Sequence, residues 1–387
     1  MADDLGTTVP VIGQAATVPL FVAAIAGLAA GPLADLFGFK PVLISGLVLI
    51  VLSAAGAGLA TTFEILLAAR VLAGLGAAAT VGTAFALTGE SHGYESRQRA
   101  LSFVAAAFSV SAVLGIPLLT AIEGASGWRG AMFSIAIAGT LLAVSLARLL
   151  SDPNRDTAAS WPGLRSIYDA YRPLVRDLRM VAVFLGIIGV GMGTIGAVTY
   201  IGSYFVDEFG TSTGRVGLLL AVSGGSYTVG SVIGGTSLFD FRVKGTTLGL
   251  GLLSGGAMWA VFGLDSGPVV AVGAIVISLL VAGILNIMFV TVLSYESNAG
   301  AATTMAMQAS VTNLGSALGV AIGGLMLGIQ GYDALGLFAG LSFVMAGIVA
   351  TGSLILLSFQ PRGGGPERGV PIVGNSARPH PGEGEQR

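Results

Sequence analysis

Eleven stretches of this chain are apolar over roughly the length needed to cross a lipid bilayer: 10–30, 41–60, 64–88, 101–121, 130–150, 179–206, 216–239, 246–264, 268–294, 302–328 and 332–359. A hydrocarbon core ~30 Å thick takes about 20 helical residues. Backbone N–H and C=O groups find no water there, so each segment must satisfy them internally. The runs show no period-2 alternation and are far longer than barrel strands, which predicts an all-α integral membrane fold. Only 10% of the residues are charged, against 54% hydrophobic; a soluble domain needs about 25% charge to face water. Sixty glycines suit helices that approach closely in a bilayer.

What the chain lacks narrows its chemistry. There is no cysteine, so disulfides, thiolate catalysis and Cys-based metal sites are excluded. The two histidines, His92 and His380, stand far apart in sequence, so no His cluster can hold a catalytic metal. No cofactor or metal is expected. Neither paired carboxylates along the helices nor a Ser/His/Asp set is evident, which disfavours an integral-membrane enzyme. A net charge of −2 gives no basic stripe for nucleic acid.

The chain also repeats itself. Residues 2–8 (Ala-Asp-Asp-Leu-Gly-Thr-Thr) return at 206–212 as Val-Asp-Glu-Phe-Gly-Thr-Ser, an offset of 204. The same offset pairs Gly31 with Gly235, Lys40 with Lys244, Gly115 with Gly319, and Gly127 with Gly331. This predicts a bundle of five helices over 1–150, a cytoplasmic linker over 151–178, a six-helix bundle over 179–359 and a disordered cytoplasmic tail over 360–387. At that offset the opening helix of the second unit, 179–206, maps to positions from before residue 1 to residue 2. The first unit is therefore expected to lack its opening helix, giving eleven helices (5 + 6) rather than twelve. A start codon placed too far downstream would account for it. Gly27, Ala29 and Ala30 would then face lipid or empty space.

Orientation follows from the bias of basic residues toward the cytoplasmic side. With the 31–40 turn inside, fifteen Lys and Arg fall on inner segments against Arg129 and Arg215 outside. The N-terminus is predicted outside and the C-terminus cytoplasmic, in the plasma membrane. Leu164, Ile167, Tyr168, Tyr171, Leu174 and Val175 keep helical spacing among Arg165, Arg172 and Arg176. That spacing predicts an amphipathic helix on the inner membrane face, broken near Pro173.

The most specific motif is Gly31-Pro32-Leu33-Ala34-Asp35-Leu36-Phe37-Gly38-Phe39-Lys40. It is similar to the inner-loop motif Gly-x-Leu-Ala-Asp-Arg-x-Gly-Arg-Lys of the major facilitator superfamily of secondary transporters. Gly31, Leu33, Ala34, Asp35, Gly38 and Lys40 match, while Leu36 and Phe39 replace basic residues. Arg70-Val71-Leu72-Ala73-Gly74 resembles the family's fourth-helix motif. Gly115-Ile116-Pro117, followed by Gly127-Trp128-Arg129, resembles the fifth-helix region of its efflux branches, and the segment 313–319 resembles its eleventh helix.

The resemblance implies a two-bundle fold and secondary active transport of a small molecule by alternating access, in the manner of a drug or sugar efflux permease. It further implies a proton antiporter that works as a monomer. In it Gly31, Asp35, Gly38 and Lys40 form a conformational latch, Asp35 meeting the start of the 302–328 helix. The residues on their own leave other readings open. Any short inner turn needs polar side chains, a channel is conceivable, and a non-transporting truncated protein is the alternative function.

Arg70 lies about six positions into its run, where a charge costs ~2.5–3.5 kcal/mol on insertion scales. It is expected to face protein or a wet cavity, the alternative being snorkelling to the outer headgroups. Gln14, Thr80, Tyr200, Asn286, Gln308 and Asn313 are the candidates to line a central path, since amides facing lipid are costly. The alternative for each is a bond between neighbouring helices. Their mixed amide, hydroxyl and aromatic character suits a neutral or amphipathic substrate. No run carries Asp or Glu near its centre, so the proton carrier is not identified.

Overall fold

Residues 301–358 make one unbroken run of helix, 58 residues long. Straight, it would measure about 87 Å, nearly three bilayer cores. It turns over at Gly331, where φ is 78° and ψ −163°, a region that L side chains rarely enter. Gly127, with φ 75° and ψ 172°, does the same inside Ile116–Leu149. Nine long apolar helices among the described residues thus supply eleven spans.

The computed structural model describes residues 1, 3–91, 107, 110–150, 163–235, 246–264, 267–296 and 301–358. The first bundle holds α1 (Val9–Phe37), α2 (Phe39–Gly58), α3 (Phe63–Ser91), α4 (residues 110–126) and α5 (residues 128–149). A short polar helix, α6 (Gly163–Arg176), follows. The second bundle holds α7 (Leu178–Phe209), α8 (Thr213–Gly234), α9 (Thr246–Gly263), α10 (Gly267–Glu296), α11 (residues 301–330) and α12 (residues 332–358). No strand occurs among the described residues. The linker residues 151–162 and the tail from 359 onward, expected to be disordered, lie outside them.

Glycine contacts fix the relative directions. Gly74 packs on Pro19 and Val22, and Gly82 on Ala30, so α3 runs parallel to α1. Gly58 meets Phe133 and Gly139 meets Val51, so α5 opposes α2. Gly191 meets Thr312 and Ser316, and Gly196 meets Gly319, so α7 and α11 run together. Gly251 against Phe343 and Gly347, with Gly255 against Gly340, sets α9 against α12. A Cβ on Gly196 would stand 2.7 Å from the Gly319 carbonyl oxygen. Such small-residue crossings let helices associate where burial out of water supplies no drive. One face of the molecule therefore carries residues 3–8 and the Gly127 and Gly331 bends. The opposite face carries the α1–α2 turn and α6, and we call these the N-terminal and linker faces.

Three details differ from the sequence expectation. The 31–40 turn is almost wholly helical: α1 continues to Phe37, and Gly38 alone, at φ 88°, separates it from α2. Its N–H reaches the Ala34 carbonyl at 2.9 Å, and Ala34 and Leu33 pack with Phe39 and Val42 across the turn, while alanine and leucine favour helix. Pro173 does not break α6, which runs three residues further, because proline's φ is helical and only one bond is lost. Gly27 and Ala30 do not face lipid. A Cβ on Gly27 would lie 3.1 Å from Ser310 Oγ, and Ala30 is 4% exposed, because α1 occupies the seam between α3 and α11.

Candidate functional site

α1 meets α11 head to tail, and this seam joins the two bundles. Gln14, one turn into α1, donates from Nε2 to the Ala321 carbonyl at 3.3 Å. Thr17 Oγ1 holds Gln14 Oε1 at 3.1 Å, fixing the amide's orientation. From α7, Tyr200 OH donates to the Val320 carbonyl at 3.0 Å, and the residue is 1% exposed. A side chain at Gly13 or Gly324 would overlap the Tyr200 hydroxyl, and one at Gly324 would also come within 2.7 Å of Gln14 Nε2. Glycine at these two positions lets an amide and a phenol from opposite bundles converge on one stretch of α11 backbone. Further toward the linker face, Ser310 Oγ is buried without a hydrogen-bond partner among the described residues, as are Thr83 Oγ1 and Thr194 Oγ1.

The remaining candidates spread out. Gln308 Nε2 donates to Thr312 Oγ1 at 3.1 Å along α11, one turn from half-buried Asn313. Asn286 is half-buried on α10. Thr80 bonds back to the Gly76 carbonyl at 2.7 Å and lies against Gly46 of α2, at a contact within the first bundle. Arg70 is half-buried and points Nη2 at Met132 Sδ of α5, 3.2 Å away. A thioether is a weak acceptor. Gly74, on the same helix, packs against the Pro19 carbonyl of α1. Gly115 closes a wide π turn, Ser111–Gly115, two residues before Pro117. Pro117 cannot donate to the residue four back, and widening the helix there relieves its ring. Of the latch residues, Gly38 takes the positive φ of the turn and Lys40 opens α2 half-buried. The side chains of Gly31, Asp35 and residues 301–302 lie outside the described set, and so does the expected Asp35 contact.

Three features escaped the sequence reading. On the N-terminal face, Trp128 Nε1 donates to Asp4 Oδ2 at 2.6 Å. Arg129 pairs with the same oxygen at 3.4 Å, stacks 4.3 Å over the Trp128 ring and reaches the Ala60 carbonyl at 3.1 Å. The hydrogen bond from Trp128 leads the influences that hold the Asp4 carboxyl below its ordinary value. In the second bundle Tyr332 OH donates to Asp207 Oδ2 at 2.6 Å. On the linker face, Tyr171 of α6 donates to the Leu28 carbonyl of α1 at 3.4 Å. Pro32, four residues on, has no N–H to give that carbonyl, so the tyrosine satisfies it instead. Burial pushes the Tyr171 hydroxyl above its ordinary value, which keeps it a donor. Pro32 is the one sequence signal that could have pointed there.

Comparison with known proteins gives a consistent picture. The family model for the Major Facilitator Superfamily matches residues 1–307. The chain is 27% identical over 360 residues to the purine ribonucleoside efflux pump NepI of Shigella sonnei (strain Ss046), covering 91% of this chain and 87% of that protein. It is 24% identical over 316 residues to the MFS-type transporter YwfA of Bacillus subtilis (strain 168), covering 79% and 74%. Among solved structures, a D-xylose–proton symporter superimposes with TM-score 0.69 at 16% identity over 88% of this chain and 87% of the other. The Escherichia coli fucose–proton symporter FucP gives 0.56 at 17% identity over 91% and 95%. At these identities the structures speak for the fold alone.

Proposed function

The chain belongs to the major facilitator superfamily, and from that premise we propose that it exports a neutral, hydrogen-bonding small molecule of the purine nucleoside class. It is a secondary transporter rather than an enzyme. The observation that carries the reading is the Gln14–Ala321 hydrogen bond, which joins the two bundles through one neutral donor. A bond of that kind is worth about 0.5–1.5 kcal/mol net, strong enough to define a closed seam and weak enough to break as the halves rock about a central site.

Gln14, Tyr200, Gln308 and Asn313 lie on the three helices that meet at this seam, and Asn286 on neighbouring α10. They offer amides and a phenol, the groups that recognise a heterocycle's donors and acceptors and a sugar's hydroxyls. The relatives named as nucleoside efflux pumps, at 27% identity, support the same class. The bias of basic residues supports a plasma-membrane protein with the N-terminal face outside and the linker face cytoplasmic. On that side the Gly31–Lys40 motif would act as the latch. We further propose a monomer exchanging substrate for protons, as the family resemblance implies.

Counterflow in proteoliposomes tests recognition without a driving ion. Vesicles preloaded with unlabelled inosine should transiently accumulate labelled inosine, and Gln14→Ala should slow that accumulation several-fold. Absence of counterflow with every purine ribonucleoside, in vesicles containing intact protein, overturns the substrate class. An imposed pH gradient, acidic outside for outward transport, then tests coupling separately.

A further inference from the structure

α6 is bound on one side to both bundles and bare on the other. Leu174, 1% exposed, belongs to the hydrophobic core of the second bundle, and Tyr171 packs beside it. The Tyr171 hydroxyl reaches across to Leu28 of the first bundle. Arg165, Arg172 and Arg176 are all exposed, and their spacing of seven and eleven residues stacks them within about 40° on one face, roughly opposite Leu174. Beside this stripe stand apolar side chains with nothing on them: Tyr168 at 58% exposure, Val175 at 43% and, past the helix end, Leu178 at 69%. The only carboxylate on the helix is Asp169. Asp177, the single residue between α6 and α7, turns its side chain onto the Arg179 N–H at 2.9 Å.

We propose that α6 is a docking helix for acidic phospholipids, its three arginines taking phosphate headgroups while Tyr168, Val175 and Leu178 enter the membrane interface. Two observations choose this occupant. The helix ends one residue before a membrane span, so its exposed face stands at headgroup level. Its charge and exposed apolar side chains lie side by side, the arrangement of an interfacial helix rather than a solvated linker. An arginine near an anionic leaflet gains attraction that falls off within a Debye length, and guanidinium forks suit phosphate oxygens. Because α6 touches both bundles, lipid bound there bears on how they sit together at the linker face. The proposal does not depend on the substrate class.

The absence of cysteine makes a unique label simple to place. Full-length protein carrying Val175→Cys with an environment-sensitive fluorophore is reconstituted into phosphatidylcholine–phosphatidylglycerol vesicles of one fixed composition. The nitroxide quencher is attached either to the phosphatidylglycerol or to the phosphatidylcholine. Quenching by labelled phosphatidylglycerol should exceed that by labelled phosphatidylcholine severalfold, an enrichment of roughly fivefold per fully engaged arginine being the scale expected. Replacing Arg165, Arg172 and Arg176 together by Gln should abolish the difference, and high salt should shrink it. Equal quenching by the two lipids at low salt overturns the proposal, as does an undiminished preference in the triple variant. If that variant fails to insert, the salt titration of the unaltered arginines decides: a preference indifferent to salt overturns the proposal.

Discussion

Trp128 and Tyr332 stand 204 positions apart, and each donates its polar hydrogen to an aspartate on the N-terminal face, Asp4 and Asp207 respectively, at 2.6 Å. Each follows a left-handed glycine, Gly127 or Gly331, that reverses the chain from one span into the next. The repeat is thus physical to within one position, since offset 204 pairs Asp207 with Asp3: in both bundles an aromatic donor at the start of the last helix closes onto an acidic turn near the first. Their surroundings diverge. After Trp128 comes Arg129, which adds an ion pair to Asp4, whereas the equivalent residue after Tyr332 is Asp333. The second clasp is reinforced by rings instead, Tyr204 with its centroid 5.1 Å from Tyr332 and Phe262 stacked at 6.2 Å.

The first clasp should therefore depend on acid. The folded Asp4 carboxyl lies below its ordinary 3.8, chiefly through Trp128. A depressed carboxylate contributes stability above its unfolded pKa and loses it as pH falls through the folded value. Asp4→Asn should lower the melting temperature at neutral pH. That deficit should hold constant from neutral pH down to about pH 5 and shrink below about pH 4. A deficit growing as pH falls, or none at neutral pH, would contradict the clasp.

Pro32 and Tyr171 should be coupled through the Leu28 carbonyl. Tyr171→Phe removes the donor that replaces proline's missing N–H, at an expected cost of about 1 kcal/mol. Restoring the N–H with Pro32→Ala should make the same phenylalanine substitution nearly neutral. Denaturation of the four members of the cycle measures the coupling directly, and additive effects would show that Tyr171 does not serve that carbonyl.

Gly324 has no room for a methyl group while the seam is closed, since Tyr200, Gln14 and the Pro10 carbonyl crowd it. Gly324→Ala should favour the conformation open on the N-terminal face. Labelling of a Thr17→Cys thiol should then rise several-fold. Gly256→Ala, where nothing stands within 4 Å, is the control and should change nothing. Equal labelling in the two variants removes Gly324 from the gate.

Asp35→Asn should slow transport at least severalfold while leaving membrane insertion and abundance intact. The expectation comes from the motif Gly31–Lys40, whose resemblance to the family's inner-loop motif implies a carboxylate that meets the positive end of a helix. A wild-type rate in vesicles containing equal amounts of protein would rule the latch out.

The spans were legible because bilayer thickness dictates their length. The run read at 332–359 is the helix 332–358, and 268–294 is Gly267–Glu296. Gly127 and Gly331 were legible as a repeat, though not as the bends that separate spans. The seam was only half readable. Gln14 and Tyr200 stood out as polar residues in apolar runs, but their acceptors are the carbonyls of Ala321 and Val320, which any residue supplies. Thr80 looked like a path residue and instead satisfies itself on Gly76, as hydroxyls in helices commonly do. Arg70 announced itself by charge, yet its neighbour is the sulfur of Met132, which no charge-pairing rule would select. Asp4 stood out in the acidic repeat and Trp128 in the fifth-helix motif, but nothing in the sequence joins two residues 124 positions apart.

Alternating access across the α1–α11 seam is most directly tested by distance. Spin labels at two cysteines, replacing Val11 on α1 and Ile329 on α11, both exposed near the N-terminal face, report whether the bundles part there. In proteoliposomes, pulsed electron paramagnetic resonance should resolve a short and a long distance whose proportions shift when inosine is added, with Gln14→Ala enlarging the long population. A single distance, unchanged by inosine or by Gln14→Ala, would contradict a gate at Gln14.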